Sequence, residues 1–503
     1  MNKPWIGVVL MSIYPILVLF DININEASFQ SVIFPITTSF FGSLFIYWLM
    51  LRLVRNKYKA SLVTILFILF FYFYGHVFYQ SVSGIHLGET TIGRHRFFYP
   101  LWILLFISSA FLVVKLKIRH KELSVFLNYL SIFLVLTIVT SILSTLLFEE
   151  IRYDNTSVKN NNIIKNRSLN NDMPNIYYIV PDGYASFNTL KNVYGFDNSD
   201  FKSSLESHGF YVADNSTTNH SFTYLSLSSS LNMMYMDWLS EKNSNKNKTK
   251  LKTLGSYIQN NEVARLLKSE GYKYITFDSG YSTTSATTSS IADLNVPCAP
   301  VSEFERILLK TTMLDPFFLY GGVRDTILCQ FETLGNVAKS NSNFIFAHIV
   351  APHPPFVFDS NGGKVGINSG LNPWSETKLF VEQTKFINKK ILELIVNIKN
   401  NSEIKPMIII QSDHGPASLG SEEMLNPSNA LIKERMGILN AYYVPENIRK
   451  NLYKEITPVN SFRVILSDLL KVNLPTLEDI NWFTPIGQDA LVFNNVSDAV
   501  KYE

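Results

Sequence analysis

An α-helical membrane domain of about five spanning helices, followed by an α/β domain with a mainly parallel central sheet, is the fold class this sequence predicts. Three observations predict it. The apolar residues crowd into the part of the chain before Phe148, although hydrophobic residues make up 47% of the whole and there are 37 Phe. Basic residues gather in alternate loops between the apolar runs. After Pro174, short β-rich runs alternate with stretches of helical period.

The apolar runs near spanning length are Trp5–Phe20, Phe29–Leu51, Ala60–Phe78, Phe97–Val114 and Leu123–Phe148. No small-residue cleavage site follows the first, and more spans come after it, so it reads as an anchor and not as a signal peptide. Arg52, Arg55, Lys57 and Lys59 separate the second and third runs, and Lys115, Lys117, Arg119 and Lys121 separate the fourth and fifth. The first loop carries Asp21 and Glu26. The positive-inside rule then puts the amino terminus in the cytoplasm and everything after Phe148 outside a cytoplasmic (inner) membrane, on the outer or periplasmic side. Arg94 and Arg96 depart from this pattern. They read as interfacial anchors, with a hold on a lipid phosphate as the functional alternative. The runs hold almost no ionisable side chain apart from His76, which favours an anchor or lipid platform over a translocation path.

The division predicted is 1–148 for the membrane anchor, 149–174 for a linker rich in Asn, Lys and Ser, and 175–503 for one globular domain. A net charge of +3 gives no electrostatic reason to expect nucleic acid. Cys298 and Cys329 fit either two buried thiols or one disulfide of an oxidising compartment.

In the globular part, Asn175–Val180, Phe210–Val212, Tyr272–Phe277, Phe344–Val350 and Met407–Gln411 read as strands. Asp200–Gly209, Glu262–Gly271 and Thr377–Asn397 read as helices. No internal repeat and no Gly-rich phosphate loop interrupts them.

The chemistry-bearing residues sit at strand ends. The first strand runs into Pro181-Asp182-Gly183-Tyr184, another into Ala351-Pro-His353-Pro-Pro-Phe356, and Met407–Gln411 into Ser412-Asp413-His414-Gly415. Parallel strands bring their carboxyl ends to one edge, where open α/β sheets bind ligands. Thr223 precedes a run of small residues with Leu225 and Leu231 as apolar pegs. It reads either as a helix N-cap or as a hydroxyl placed where a helix attracts anions.

Together, Asp-Gly-Tyr, the Thr223 segment, Pro-His-Pro-Pro-Phe and Ser-Asp-His-Gly, in this order, resemble the sulfatase-like branch of the alkaline phosphatase superfamily. Within that branch the chain is similar to membrane-anchored lipoteichoic acid synthases and phosphoethanolamine transferases. The resemblance spans Asn175 to about Phe493 and implies an alkaline-phosphatase-like domain. It implies Asp182, Thr223, Asp413 and His414 as ligands of one divalent metal ion, Zn or Mn. It further implies Thr223 as nucleophile and His353 as the histidine on the transferring group. His348 and Arg435 are substrate-binding candidates; for His348 a core histidine, and for Arg435 an exposed surface arginine, are the alternatives.

What the resemblance implies is a transferase that moves phosphoglycerol or phosphoethanolamine from a membrane phospholipid donor to a cell-surface glycan or lipid acceptor, through a phospho-threonine. A phosphodiesterase or sulfatase-type hydrolase on the same site, and a non-catalytic surface-assembly protein, are the rival readings. Thr223 lacks the following Pro and Arg of a C/S-x-P-x-R formylglycine signature, which counts against sulfate esters. Asp182 stands where the transferases often have Glu.

Overall fold

A computed structural model describes residues 3–501 apart from 25–26, 28, 83–84, 88–89, 92, 154–172, 241–253, 285–288, 319–320, 339, 366–372, 421–422 and 487–491. The chain forms two compact units: Met1–Asn161 with Val301–Leu319, and Asn162–Pro300 with Tyr320–Glu503.

The first unit contains α1 (Trp5–Ile22), α2 (Phe29–Val54), α3 (Lys57–Val77), α4 (His95–Lys115) and α5 (His120–Tyr153). All five are long and apolar enough to cross a membrane. Each matches one of the apolar runs, with ends that differ from it by at most five residues. The third continues into a π-helical turn at Phe78–Val82. The expected linker begins inside α5, and its remainder up to 172 lies outside the described residues. Polar contacts join the helices of the bundle at specific points. Gly7 N donates to Asn128 Oδ1 at 2.7 Å, an approach that only glycine permits, since a Cβ there would stand 2.4 Å from the same oxygen. His76 is exposed on α3, and Arg94 and Arg96 flank the start of α4, Arg96 lying over the Phe97 ring.

The second unit is built on a seven-stranded sheet. Its strands are β1 (Ile176–Pro181), β2 (Tyr211–Val212), β3 (Lys273–Phe277), β4 (Leu294–Val296), β5 (Asn343–Ile349), β6 (Met407–Gln411) and β7 (Asn440–Tyr443). The order across the sheet is β2-β7-β6-β1-β5-β3-β4. From β6 to β4 every pairing is parallel; β7 runs antiparallel to both β6 and β2. The three central strands are buried on both faces, which is why they read as unbroken apolar runs.

Two apolar cores cover the two faces. On one, Tyr177, Ile345 and Ile408 pack against Ile387, Ile391 and Leu394 of the helix Thr377–Asn400. On the other, Tyr178, Phe346 and Ile409 pack against Leu227, Leu267 and Phe462. Further helices are α6 (Thr223–Asn232), α7 (Glu262–Ser269), α8 (Glu303–Thr311, in the first unit), α9 (Gly321–Leu334), α10 (Thr377–Asn400), α11 (Asn429–Met436) and α12 (Pro458–Leu469). Cys298 and Cys329 form a disulfide. Strands β4 and β7 were not legible: Leu294–Val296 is a three-residue edge, and Asn440–Tyr443 opens on a polar residue that gives no strand period.

Candidate active site

The sheet register assembles the site. In β1 and β6, Ile179 pairs with Ile410, so Asp182 and Asp413 each lie three residues beyond paired positions. In β1 and β5, Val180 pairs with His348. Three adjacent parallel strands therefore deliver two carboxylates and an imidazole to one edge.

The turn after β1 is held open for this. Asp182 N donates to Ile349 O, and His353 N donates to Asp182 O. Gly183, at φ +70°, donates its N–H to Asp413 Oδ1 at 3.1 Å. Any side chain there would be strained by the left-handed backbone and would meet the Trp374 ring at 2.7 Å.

Asp182, His348 and Asp413 are buried and present one ligand atom each within 4.8 Å of one another. Three of their atoms, Asp182 Oδ1, Asp413 Oδ2 and His348 Nε2, make no hydrogen bond. Two buried carboxylates with unsatisfied oxygens are costly unless a cation sits between them. The donor set of carboxylate oxygens and imidazole nitrogens fits a divalent ion such as Zn²⁺ or Mn²⁺. Burial would raise the Asp182 carboxyl, but the facing imidazoles of His353, His348 and His414 outweigh it and hold it below the carboxylate range. Asp413 is pushed up to about 6 by burial and by the Asp182 charge.

His414 completes the group. Its Nδ1 lies 2.9 Å from Gly415 O, so Nδ1 carries the proton and Nε2 keeps a lone pair. Nε2 stands 3.3 Å from Asp413 Oδ2, 3.7 Å from Asp182 Oδ1 and 3.0 Å from Thr223 Oγ1. Burial, and then the Arg435 charge, keep this ring neutral, its pKa well below the ordinary value. Thr223 is the first residue of α6, with Phe222 as N-cap, so its hydroxyl lies at the positive end of the helix and does not cap it.

His348 has its Nδ1 2.8 Å from Thr284 Oγ1 and its Nε2 3.2 Å from Asp182 Oδ2. It therefore sits with the carboxylates. His353 stands further out, half-buried, its Nδ1 facing Pro354 O and its ring edge-on to Trp374 at 4.8 Å. The loop that carries it is clamped by Gln383 of α10. Gln383 Oε1 accepts from Val357 N and Phe358 N, while Nε2 donates to Pro352 O and His353 O. Arg435 is buried, not exposed. Its Nε donates to Ser221 O and its Nη1 to Gly415 O, tying the segment before Thr223 to the turn after His414. Burial lowers its pKa to about 10.

Thus Asp182, Thr223, Asp413, His414 and His348 come together, with His353 at the rim and Arg435 behind. Sequence reasoning missed Gln383, Thr284 and Trp374. None lies in a motif, and a lone Gln in a helical pattern carries no signal of the loop it holds.

No family model matches the sequence, and no curated protein matches it. Solved structures do resemble the chain. The C-terminal periplasmic domain of EcEptC from Escherichia coli, in complex with Zn, is 14% identical, with 65% of this chain and 94% of that chain covered, at a TM-score of 0.43. The integral membrane lipooligosaccharide phosphoethanolamine transferase A (EptA) from Neisseria meningitidis is 14% identical, with 94% and 96% covered, at a TM-score of 0.40. A putative sulfatase from Bacteroides thetaiotaomicron is 13% identical, with 60% and 72% covered, at a TM-score of 0.38.

Proposed function

We propose that this chain is a membrane-attached, metal-dependent phosphotransferase that takes a phospho-alcohol group, phosphoethanolamine or phosphoglycerol, from a phospholipid and passes it to a cell-surface glycan or glycolipid. One observation carries the reading: the Thr223 hydroxyl, at a helix N-terminus, lies 3.0 Å from an unprotonated imidazole nitrogen at the edge of a buried cluster of two carboxylates and a second imidazole. An alcohol needs help to act as a nucleophile at neutral pH, and this is the arrangement that supplies it.

Asp182, Asp413, His348 and His414 would hold the ion, with Thr223 Oγ1 beside it. When bound, a divalent cation there supplies charge that favours the alkoxide and offsets the phosphate. Thr223 Oγ1 forms a bond to phosphorus and gives up its proton to solvent, while the bond from phosphorus to the lipid alcohol breaks. His353, at the rim, protonates the departing oxygen. A phospho-threonine remains. The acceptor hydroxyl then gives its proton to His353 and displaces Thr223, which regains a proton from solvent. The helix dipole of α6 steadies the phosphate oxygens throughout. Five spanning helices on the same chain give a reason for a lipid donor, since they keep the catalytic unit beside the bilayer.

Mass spectrometry of the Thr223 peptide after exposure to membranes tests this. The expected result is an adduct equal to one phospho-alcohol, absent from Thr223→Ala. No adduct in the wild type under single-turnover conditions, with free head group released at full rate without acceptor, would replace the transferase by a hydrolase. A fully active Thr223→Ala protein would end both readings.

A further inference from the structure

Residues 301–319 lie between strand β4 and helix α9 of the second unit, yet they pack as part of the first. The packing is built, not incidental. Helix α8 begins with a capping box in which Ser302 and Glu305 satisfy each other. Its apolar face then places Phe304 and Leu308 in the core of the helical bundle, with the Phe304 ring edge-on to Phe20 of α1 at 6.3 Å.

The segment next presses against α3. A Cβ at Gly75 would lie 1.9 Å from Lys310 O, so this helix surface accepts the segment only because position 75 has no side chain. Met313 N donates to Phe71 O at 2.9 Å. Asp315, 2% exposed, accepts from Tyr79 OH at 2.9 Å and faces His95 Nε2 at 3.6 Å. Tyr74 OH holds the other ring nitrogen of His95 at 2.9 Å. A carboxylate is rarely buried without partners, and both of these partners belong to the helical bundle. Beyond it, Phe317 sets its ring against Tyr99 in the second turn of α4.

We infer that residues 301–319 are a non-covalent clamp by which the catalytic unit grips the helical bundle, independently of the peptide chain through 154–172. The disulfide between Cys298 and Cys329 marks the clamp's base, because both cysteines belong to the second unit and the whole excursion lies between them. The clamp is separate from the reaction: it uses no residue of the site at the β1, β5 and β6 edge. Its role is to keep the catalytic unit on the membrane part even where the linker does not.

The test uses the full chain in detergent, with a protease site placed within 154–172 and an affinity tag on the amino terminus. After cleavage the catalytic fragment is expected to stay with the tagged bundle through washing. Its loss into the wash from otherwise wild-type protein would overturn the proposal. In Gly75→Leu, retention is expected to fall at least tenfold after cleavage, while uncleaved protein is unaffected. Where that variant does not fold, a chain with 301–319 replaced by a Gly/Ser loop serves, its catalytic unit checked by formation of the Cys298–Cys329 bond. Retention of that cleaved variant at the wild-type level would equally overturn the clamp.

Discussion

The helical bundle and the sheet edge use polar groups in opposite ways. In the bundle, buried polar side chains are scattered, and each is quenched locally: Asn128 by Gly7, Thr64 by Ala60 O one turn earlier. At the sheet edge, Asp182, His348, Asp413 and His414 are gathered within a few ångströms, and three of their atoms are left without a hydrogen bond. The first arrangement minimises the cost of burying polarity. The second tolerates that cost, which a fold does where a ligand or reaction supplies the missing partner. The difference teaches that unpaired buried polarity in the cluster is concentrated at one sheet edge, while the apolar helices satisfy theirs within the bundle.

Substitutions can break or sharpen that contrast. Thr223→Ala should have the largest effect, a loss of transfer on the order of 10³-fold or more with metal content retained, read by parallel activity and elemental measurements. Asp413→Asn should lose both metal and activity, the latter again by roughly 10³-fold, and chelation of the wild type should mimic it until a divalent ion is restored. Retained metal in Asp413→Asn would mean that the unpaired oxygens serve something else. His353→Ala should cost about 10²-fold in turnover, and less with a donor whose leaving group is more acidic, because a rim histidine that only protonates the leaving oxygen is then needed less.

Removing the disulfide by Cys298→Ser with Cys329→Ser should cost about 3–4 kcal/mol of stability, on a chain-entropy estimate for a separation of 31 residues, with turnover of the folded protein unchanged. The smallest effect belongs to the bundle. Leu104→Ala, on an exposed face of α4, should change thermal stability by less than about 0.5 kcal/mol and leave turnover alone. A large loss of activity there would show that the bundle is more than a scaffold.

Much of this was legible in the sequence because both halves write strong periodic signals. Five long apolar runs have the length and composition of spans, and Ile176–Val180 and Met407–Ile410, buried on both faces, have the pattern of central strands. Asp182, Asp413 and His414 were visible because they follow such strands directly. His348 was harder to read: it lies inside a strand, and only the pairing of Val180 with His348 shows that it faces the carboxylates. Arg435 reads as a surface residue in Lys-Glu-Arg, and its burial depends on carbonyls at Ser221 and Gly415, which are remote in the chain. The excursion at 301–319 was illegible for the same reason. An amphipathic nine-residue helix gives no sign of whose core its apolar face will enter.

That excursion has a consequence for biogenesis. A ribosome delivers Phe20 and Gly75 long before Phe304 and Lys310, so the five helices must wait, their packing incomplete, while most of the sheet's early strands are still being synthesised. The bundle's last piece arrives from a part of the chain that follows four strands of the sheet. Maturation of this protein is therefore vectorial in an unusual sense: the helical unit is made first and finished late.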